Sequence, residues 1–240
     1  MNSALRRVLA CFLLAVFLFP GLAEAQELRG YDAKAGYQYI ALGAWPQGEN
    51  GETAPILWRV LAADGEEALL FSEYVLGNGW IHRPYEEYPA FGGAWNRTDM
   101  FQFLNGEFLE QAFSGEEKLP LLLSEELGTV FLLSADDLKN KAYGFSGDTA
   151  RMGYGTPYAL ANGLFKYSNK SSPYWTRSRS TTLSSGVRCT KVKGALGYIR
   201  CEVENEGWRP ALRLSMASAE IISGEGTKEL PFVIAYAERP

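Results

Sequence analysis

The stretch Ile56-Leu-Trp-Arg-Val-Leu-Ala62, then Asp64-Gly65, then Glu67-Ala-Leu-Leu-Phe-Ser72, decides the fold of this chain. Two apolar, β-prone runs flank an Asp-Gly pair, which is a strong short-range signal for a β-hairpin. A strand is also predicted before the hairpin, over 37–44. Later short runs of the same type cover 129–133, 174–178, 187–192, 197–203, 208–214 and 231–236.

Helix-start signals occupy the middle third of the chain. Asn105-Gly106 is predicted to interrupt the first of these helices, which would run through Leu104. The candidate starts are Thr98 or Asp99, the capping box of Ser114 with Glu117, and Ser134 with Asp137. The pattern predicts an α+β fold with short twisted antiparallel strands, a few short helices and long loops.

The first 25 residues have the pattern of a secretory signal peptide. Arg6 and Arg7 precede a twelve-residue apolar run over 8–19, and Ala23-Glu24-Ala25 forms a cleavage site. An uncleaved membrane anchor is the alternative. Cleavage would leave 26–240 as a single exported domain without a membrane span. We expect that domain to be secreted or periplasmic.

The supply of catalytic and metal-binding side chains is very small. His82 is the only histidine in 240 residues, which argues against hydrolytic triads, Cys-His dyads and zinc sites. The formal charge of −5 becomes −6 after cleavage, because the leader carries Arg6, Arg7 and Glu24. An acidic protein is not expected to bind nucleic acid. No cofactor motif and no metal site is predicted.

Cys189 and Cys201 remain after cleavage, in a compartment that favours disulfides. They lie in two β-prone runs around a Gly-bearing loop whose midpoint is Ala195. A cross-strand disulfide is therefore predicted, and a metal or redox pair is the alternative.

Several stretches, in this order, resemble a bacterial family of exported proteins, the domain-of-unknown-function family 6273. The matching stretches are Leu42-Gly43 with Pro46-Gln47, Ile56–Leu61, Ala68–Leu70, Trp95 ahead of Phe103–Leu109, Ala112–Ser114, Val130–Ser134, Thr156–Ala159, Trp175–Ser178 and Gly207–Leu212. The resemblance covers about residues 40–215 and implies a C-type-lectin-like architecture. The chain departs from the pattern at Phe101-Gln102 and at Thr176.

Three pairs place a tryptophan beside or near an arginine on β-type segments. One reading is a cationic site for an acidic ligand. The favoured reading is structural, with buried indoles and arginines paired to carboxylates or carbonyls. The pairs are Trp58 with Arg59, Trp175 with Arg177, and Trp208 with Arg209.

The segment 77–95 is rich in aromatics, Gly and Pro, and is predicted to be a loop that presents rings to a ligand. A loop fixed to the body by its own aromatics is the alternative. The candidate ligand-binding residues are Trp80, His82, Tyr85, Tyr88 and Trp95.

These patterns together predict an exported, non-catalytic binding domain with a carbohydrate or protein partner at the cell envelope. A carboxylate-dependent hydrolase acting on a glycan is one alternative, although no spacing selects a carboxylate pair. A structural envelope component is the other alternative. The sequence carries no signal for an oligomeric state.

Overall fold

The structure is a computed structural model and describes residues 27–236. The predicted signal peptide, residues 1–25, lies outside the described range. Within residues 27–236, no helix is both long enough and apolar enough to cross a bilayer.

Separate strand and helix segments give the described chain an α+β architecture. The strands are β1 (Tyr39–Pro46), β2 (Thr53–Ala63), β3 (Glu67–Ser72), β4 (Gly77–Asn78), β5 (Val130–Leu132), β6 (Trp175–Arg179), β7 (Gly186–Thr190), β8 (Leu196–Arg200), β9 (Gly207–Trp208), β10 (Pro210–Ser215), β11 (Ala219–Ser223) and β12 (Val233–Tyr236). The α-helices are α1 (Asp99–Phe103), α2 (Leu109–Ala112), α3 (Gly115–Lys118) and α4 (Pro157–Ala161). Short 3-10 helices cover Tyr88–Phe91, Trp95–Arg97, Asp137–Lys139, Lys141–Tyr143, Thr149–Arg151, Val192–Gly194 and Met216–Ser218.

The predicted Asp-Gly hairpin lies in the main sheet, whose order is β1-β2-β3-β10-β5 with every neighbouring pair antiparallel. Asp64 Oδ1 accepts hydrogen bonds from the backbone amides of Glu66 and Glu67 at 3.0 and 2.9 Å. Gly65 completes the turn with a φ of +91°, which favours glycine. Strand β10 lies between β3 and β5, so the last third of the chain completes a sheet that the hairpin begins.

The helical segment 99–112 lies against this sheet and contains a π-helical turn, Leu104–Phe108, between α1 and α2. The predicted cap at Thr98 is confirmed, because its side chain accepts a hydrogen bond from the Phe101 backbone amide. The capping box of Ser114 with Glu117 is also confirmed, at the start of α3. Asn105-Gly106 lies in this π turn, which interrupts the α-helix where the sequence predicts an interruption.

The second sheet has the order β6-β7-β8. The register of its β7–β8 hairpin contradicts the predicted disulfide between Cys189 and Cys201. Cys189 lies opposite Gly197, and both cysteines are free and buried. The turn is centred near Lys193 instead of Ala195, so Cys201 lies four residues beyond the partner of Cys189. That offset is about 13 Å along the strand. A disulfide needs Cα atoms within roughly 7 Å of each other.

The two-stranded pair β4–β9 connects the aromatic segment 77–95 to the core. Gly77 lies opposite Trp208, and a Cβ at Gly77 would come within 2.6 Å of that indole. Only glycine allows the strand to approach so closely. The pair therefore fixes where segment 77–95 leaves the body of the protein.

Candidate functional site

The segment 77–95 presents few of its rings to solvent. Trp80 is exposed and Tyr85 is half-buried, whereas His82, Tyr88 and Trp95 are each less than a tenth exposed. The last three therefore do not form the solvent-facing surface of rings that the sequence predicts. The physical reason is mutual packing, since Phe91 makes edge-on contacts with the rings of His82 and Tyr88 at 4.9 and 5.6 Å.

Trp80 forms part of a pocket of about 210 Å³ at the start of helix α1. Most of the lining is apolar and comes from α1 and β9. We call it the Trp80 pocket. Its lining residues are Asn78, Gly79, Trp80, Asp99, Met100, Phe103 and Trp208. The predicted ligand residues Tyr85 and Tyr88 do not line it.

Two strands and one helix position these groups. Strand β4 ends at Asn78, whose side-chain amide donates to the Glu204 carbonyl at 3.1 Å. The Gly79 carbonyl accepts a hydrogen bond of 2.7 Å from the indole of Trp175, which is itself buried. The backbone on this side of the pocket is therefore anchored to the core.

Asp99 is the only carboxylate in the lining of the Trp80 pocket. Its Oδ2 accepts hydrogen bonds from the Trp80 indole at 3.1 Å and from the Arg83 backbone amide at 2.9 Å. Its place in the first turn of α1 is one where the helix dipole favours a carboxylate. Asp99 thus orients the exposed indole.

The Arg83 guanidinium lies 4.0 Å from the centre of the Trp80 ring and pairs with the Glu204 carboxylate. Arg83 does not line the pocket. It therefore covers the indole from outside the pocket by a cation–π contact and limits how far the ring can move.

His82 contacts the pocket only through Asp99. Its Nδ1 lies 3.1 Å from Asp99 Oδ1, and its Nε2 lies 4.0 Å from Glu87 Oε2. Neither nitrogen makes a hydrogen bond to another residue of the described chain. The candidate ligand residue His82 therefore lies beside Asp99 and is not among the residues that line the Trp80 pocket.

Sequence reasoning missed Asn78, Asp99, Met100 and Phe103 as pocket residues and treated Trp208 as purely structural. Asp99 carried a signal, as a candidate helix cap close to the aromatic segment. The approach of β9 to β4, which brings Trp208 beneath the pocket, had no signal in the sequence.

Comparison with known proteins places the chain in a family. A family model described as a domain of unknown function (DUF6273) matches residues 65–216, well over half of the chain. The chain belongs to this family. The DUF6273 match begins at Gly65, so β1 and β2 precede it, although the resemblance seen in the sequence starts near residue 40. Neither the curated proteins nor the solved structures include a match.

The DUF6273 segment contains the Trp80 pocket and two of the three tryptophan-arginine pairs. Trp175 and Trp208 are buried in it, and Trp58 is buried just before it. Arg209 is fully buried, 4.0 Å from the Phe71 ring, and donates to the Ser72 and Glu73 carbonyls at 2.7 and 2.9 Å.

Burial lowers the pKa of Arg209 to about 10, with the neighbouring charge of Arg59 adding to the effect. Arg59 donates to Glu73 Oε2 at 2.7 Å, and Arg177 donates to Asp137 Oδ2 at 2.8 Å. Each guanidinium of the three pairs therefore has a carboxylate or carbonyl partner inside the protein.

Proposed function

We propose that this DUF6273 protein is an exported, non-catalytic binding domain, with a carbohydrate or protein partner at the cell envelope. The observation that carries the proposal is the Trp80 pocket. An exposed indole, oriented by Asp99, stands over an apolar lining with Asn78 at its margin. Small-molecule sites combine this kind of apolar surface with a few well-placed polar groups.

The chemistry of the pocket favours binding over hydrolysis. A glycosidase of the common type needs two carboxyl groups about 5–9.5 Å apart across the scissile bond. Asp99 is the single carboxylate in the lining, and its Oδ2 already accepts two hydrogen bonds. A volume of about 210 Å³ suits one ring or one side chain of a ligand.

Two further parts of the proposal rest on other observations. The export route rests on the charged start, apolar run and Ala23-Glu24-Ala25 of the sequence. The C-type-lectin-like architecture rests on the family resemblance, together with short antiparallel strands, short helices and long loops. N-terminal sequencing of the exported protein tests the first part, and a sequence starting at Met1 would refute it.

Replacement of Trp80 tests the site. Trp80→Ala should leave the melting temperature within a few degrees of wild type, because the ring is 37% exposed. Binding to a partner returned by a glycan array or a surface-protein screen should weaken by about 1–3 kcal/mol. Tyr154→Ala is the matched control, since Tyr154 is 45% exposed and lines none of the described pockets.

Equal loss of affinity in Trp80→Ala and in the control would show that the Trp80 pocket is not the contact. Unfolding of Trp80→Ala with unchanged affinity of the remaining native protein would show that the segment 77–95 is a structural clasp.

A further inference from the structure

We infer that a second pocket of about 400 Å³, separate from the Trp80 pocket, binds a neutral saccharide; this inference rests on the proposed binding function. We call it the Arg177 pocket. Its volume falls in the range of roughly 300–1,000 Å³ that is usual for small-molecule sites. The lining residues that carry the argument are Trp95, Asn96, Glu126, Ser134, Arg177 and Ser178.

Arg177 supplies donors to this pocket. Its Nη1 donates to the Leu132 carbonyl and to Asp137 Oδ2, each at 2.8 Å. Its Nε and Nη2 donate to no protein atom within residues 27–236, and the side chain is 20% exposed. The guanidinium of this lining residue is therefore fixed in place by one nitrogen, and the N–H groups of Nε and Nη2 are not used by the described residues.

Glu126 supplies hydrogen-bond acceptors to this pocket, and Asn96 supplies both donors and an acceptor. Both side chains are exposed, and neither makes a hydrogen bond or ion pair to any part of the chain that the structure describes. A carboxylate only accepts hydrogen bonds, whereas an amide both donates and accepts. Ser178 adds a hydroxyl whose oxygen accepts from the Ala135 amide at 2.9 Å, which leaves its proton free to donate.

Charge disfavours an anionic ligand. The positive charge of Arg177 is offset by Asp137 at 2.8 Å, so the carboxylate of Glu126 is the uncompensated charge of the lining. An anion would be repelled by Glu126. A sugar hydroxyl both donates and accepts hydrogen bonds. Neighbouring hydroxyls of one sugar can therefore accept from the Arg177 guanidinium and donate to the Glu126 carboxylate.

Trp95, together with Ala94 and Leu127, supplies the apolar part of the lining and is held rigidly. Its indole donates to the Leu127 carbonyl at 3.0 Å, and its ring packs edge-on against Phe101 at 5.9 Å. Aromatic carbon beside polar groups matches the C–H and O–H faces of a sugar. Because Trp95 and Arg177 are already fixed, little conformational entropy is lost when a ligand orders them.

Calorimetric titration of the exported protein with neutral and charged sugars tests the inference. The probes are pentasaccharides of glucose, N-acetylglucosamine and galactose, with a galacturonate pentamer as the charged counterpart. At least one neutral probe should bind. Asn96→Ala and Glu126→Ala should each weaken that binding about tenfold, the loss expected for one hydrogen bond to a charged or amide group. Their melting temperatures should not change, because neither side chain has an internal partner.

Glu125→Ala is the control, since Glu125 is the exposed neighbour of Glu126 and does not line the pocket. Unchanged affinity in that variant supports the inference. Tighter binding of galacturonate than of galactose would overturn the neutral class, and absence of binding by every neutral probe at millimolar concentration would overturn the site.

Trp80→Ala separates this inference from the proposed function. If it abolishes saccharide binding while Asn96→Ala and Glu126→Ala do not, the Trp80 pocket is the sugar site and the present inference fails. If it has no effect while the other two variants weaken binding, the Arg177 pocket is the sugar site and the contact proposed for Trp80 fails.

Discussion

At the scale of single residues, the side chain of Asn105 makes four hydrogen bonds to backbone groups of the helical segment and of the chain around the start of β5. Its Oδ1 accepts from the Thr129 and Val130 amides at 2.7 and 3.1 Å, and its Nδ2 donates to the Val130 and Phe101 carbonyls at 2.9 and 3.0 Å. Gly128 allows the approach, because a Cβ there would lie 2.4 Å from Asn105 Oδ1. The π turn and the edge of β5 are thus joined by one amide.

Asn105→Ala should therefore lower the free energy of unfolding by about 2–3 kcal/mol, because it removes the acceptor of the Thr129 and Val130 backbone amides. Urea denaturation followed by tryptophan fluorescence measures the change. Asn162→Ala is the control, since Asn162 is exposed and its side chain donates only to the Tyr158 carbonyl in the preceding helix α4. We expect that variant to stay within about 0.5 kcal/mol of wild type. Similar losses in the two variants would contradict the role given to Asn105.

At the scale of elements, turns and helix caps were predictable from the sequence, whereas the pairing of strands was not. The Asp64-Gly65 turn and the caps at Thr98 and Ser114 depend on neighbours within a few residues, so their residue types predict them. The position of β10 between β3 and β5 depends on contacts far apart in sequence. The register of β7–β8 was not predicted either. The turn residue Lys193 adopts a positive φ of 55°, a conformation that a lysine does not indicate in a sequence.

The same limit applies to the candidate site. The sequence shows that segment 77–95 is rich in aromatic residues. It does not indicate which of these rings are buried in the folded protein. Trp80 and Trp95 line two different pockets, while Tyr88 is buried in the core. Exposure of a ring depends on how Phe91 packs on His82 and Tyr88 within the segment, and on the long-range approach of strand β9. No local sequence pattern contains either.

The register of the β7–β8 hairpin makes a prediction about its thiols. Denaturation in guanidinium without reductant should allow a maleimide to label both Cys189 and Cys201, because the two lie too far apart to be bonded. Native protein should label slowly at either site. Burial raises the pKa of Cys189 to about 12 and that of Cys201 to about 11, which keeps both as unreactive thiols. Intact mass spectrometry counts the labels, and labelling that requires prior reduction would restore the disulfide.

At the scale of the whole molecule, two buried carboxylates couple the fold to pH in opposite directions. Burial raises the pKa of Glu73, but the charges of Arg59, Arg209 and Lys228 outweigh burial and leave it below the ordinary value of 4.5. Burial raises the pKa of Glu206 above that value, more than the ammonium of Lys191, 3.1 Å away, lowers it. One oxygen of Glu206, Oε2, has no partner within the described residues.

These shifts predict different pH profiles for two matched variants. Glu73 binds its proton less tightly in the folded state, so its contribution is present above pH 4.5 and is lost as pH falls through the folded pKa. Glu206 binds its proton more tightly in the folded state, so its contribution is present below pH 4.5 and is lost as pH rises through the folded pKa.

Glu73→Gln should therefore lower the free energy of unfolding by about 3 kcal/mol at pH 7, because it leaves buried cations unpaired. The difference from wild type should shrink below pH 4.5. Glu206→Gln should be at least as stable as wild type at pH 7, because the neutral amide avoids the cost of burying a charge, and should lose that advantage in acid. Urea titrations from pH 3 to pH 8 measure both profiles. Parallel profiles for the two variants would mean that the ion pair of Glu206 with Lys191 outweighs burial, and that both carboxylates stabilise the fold as charged groups.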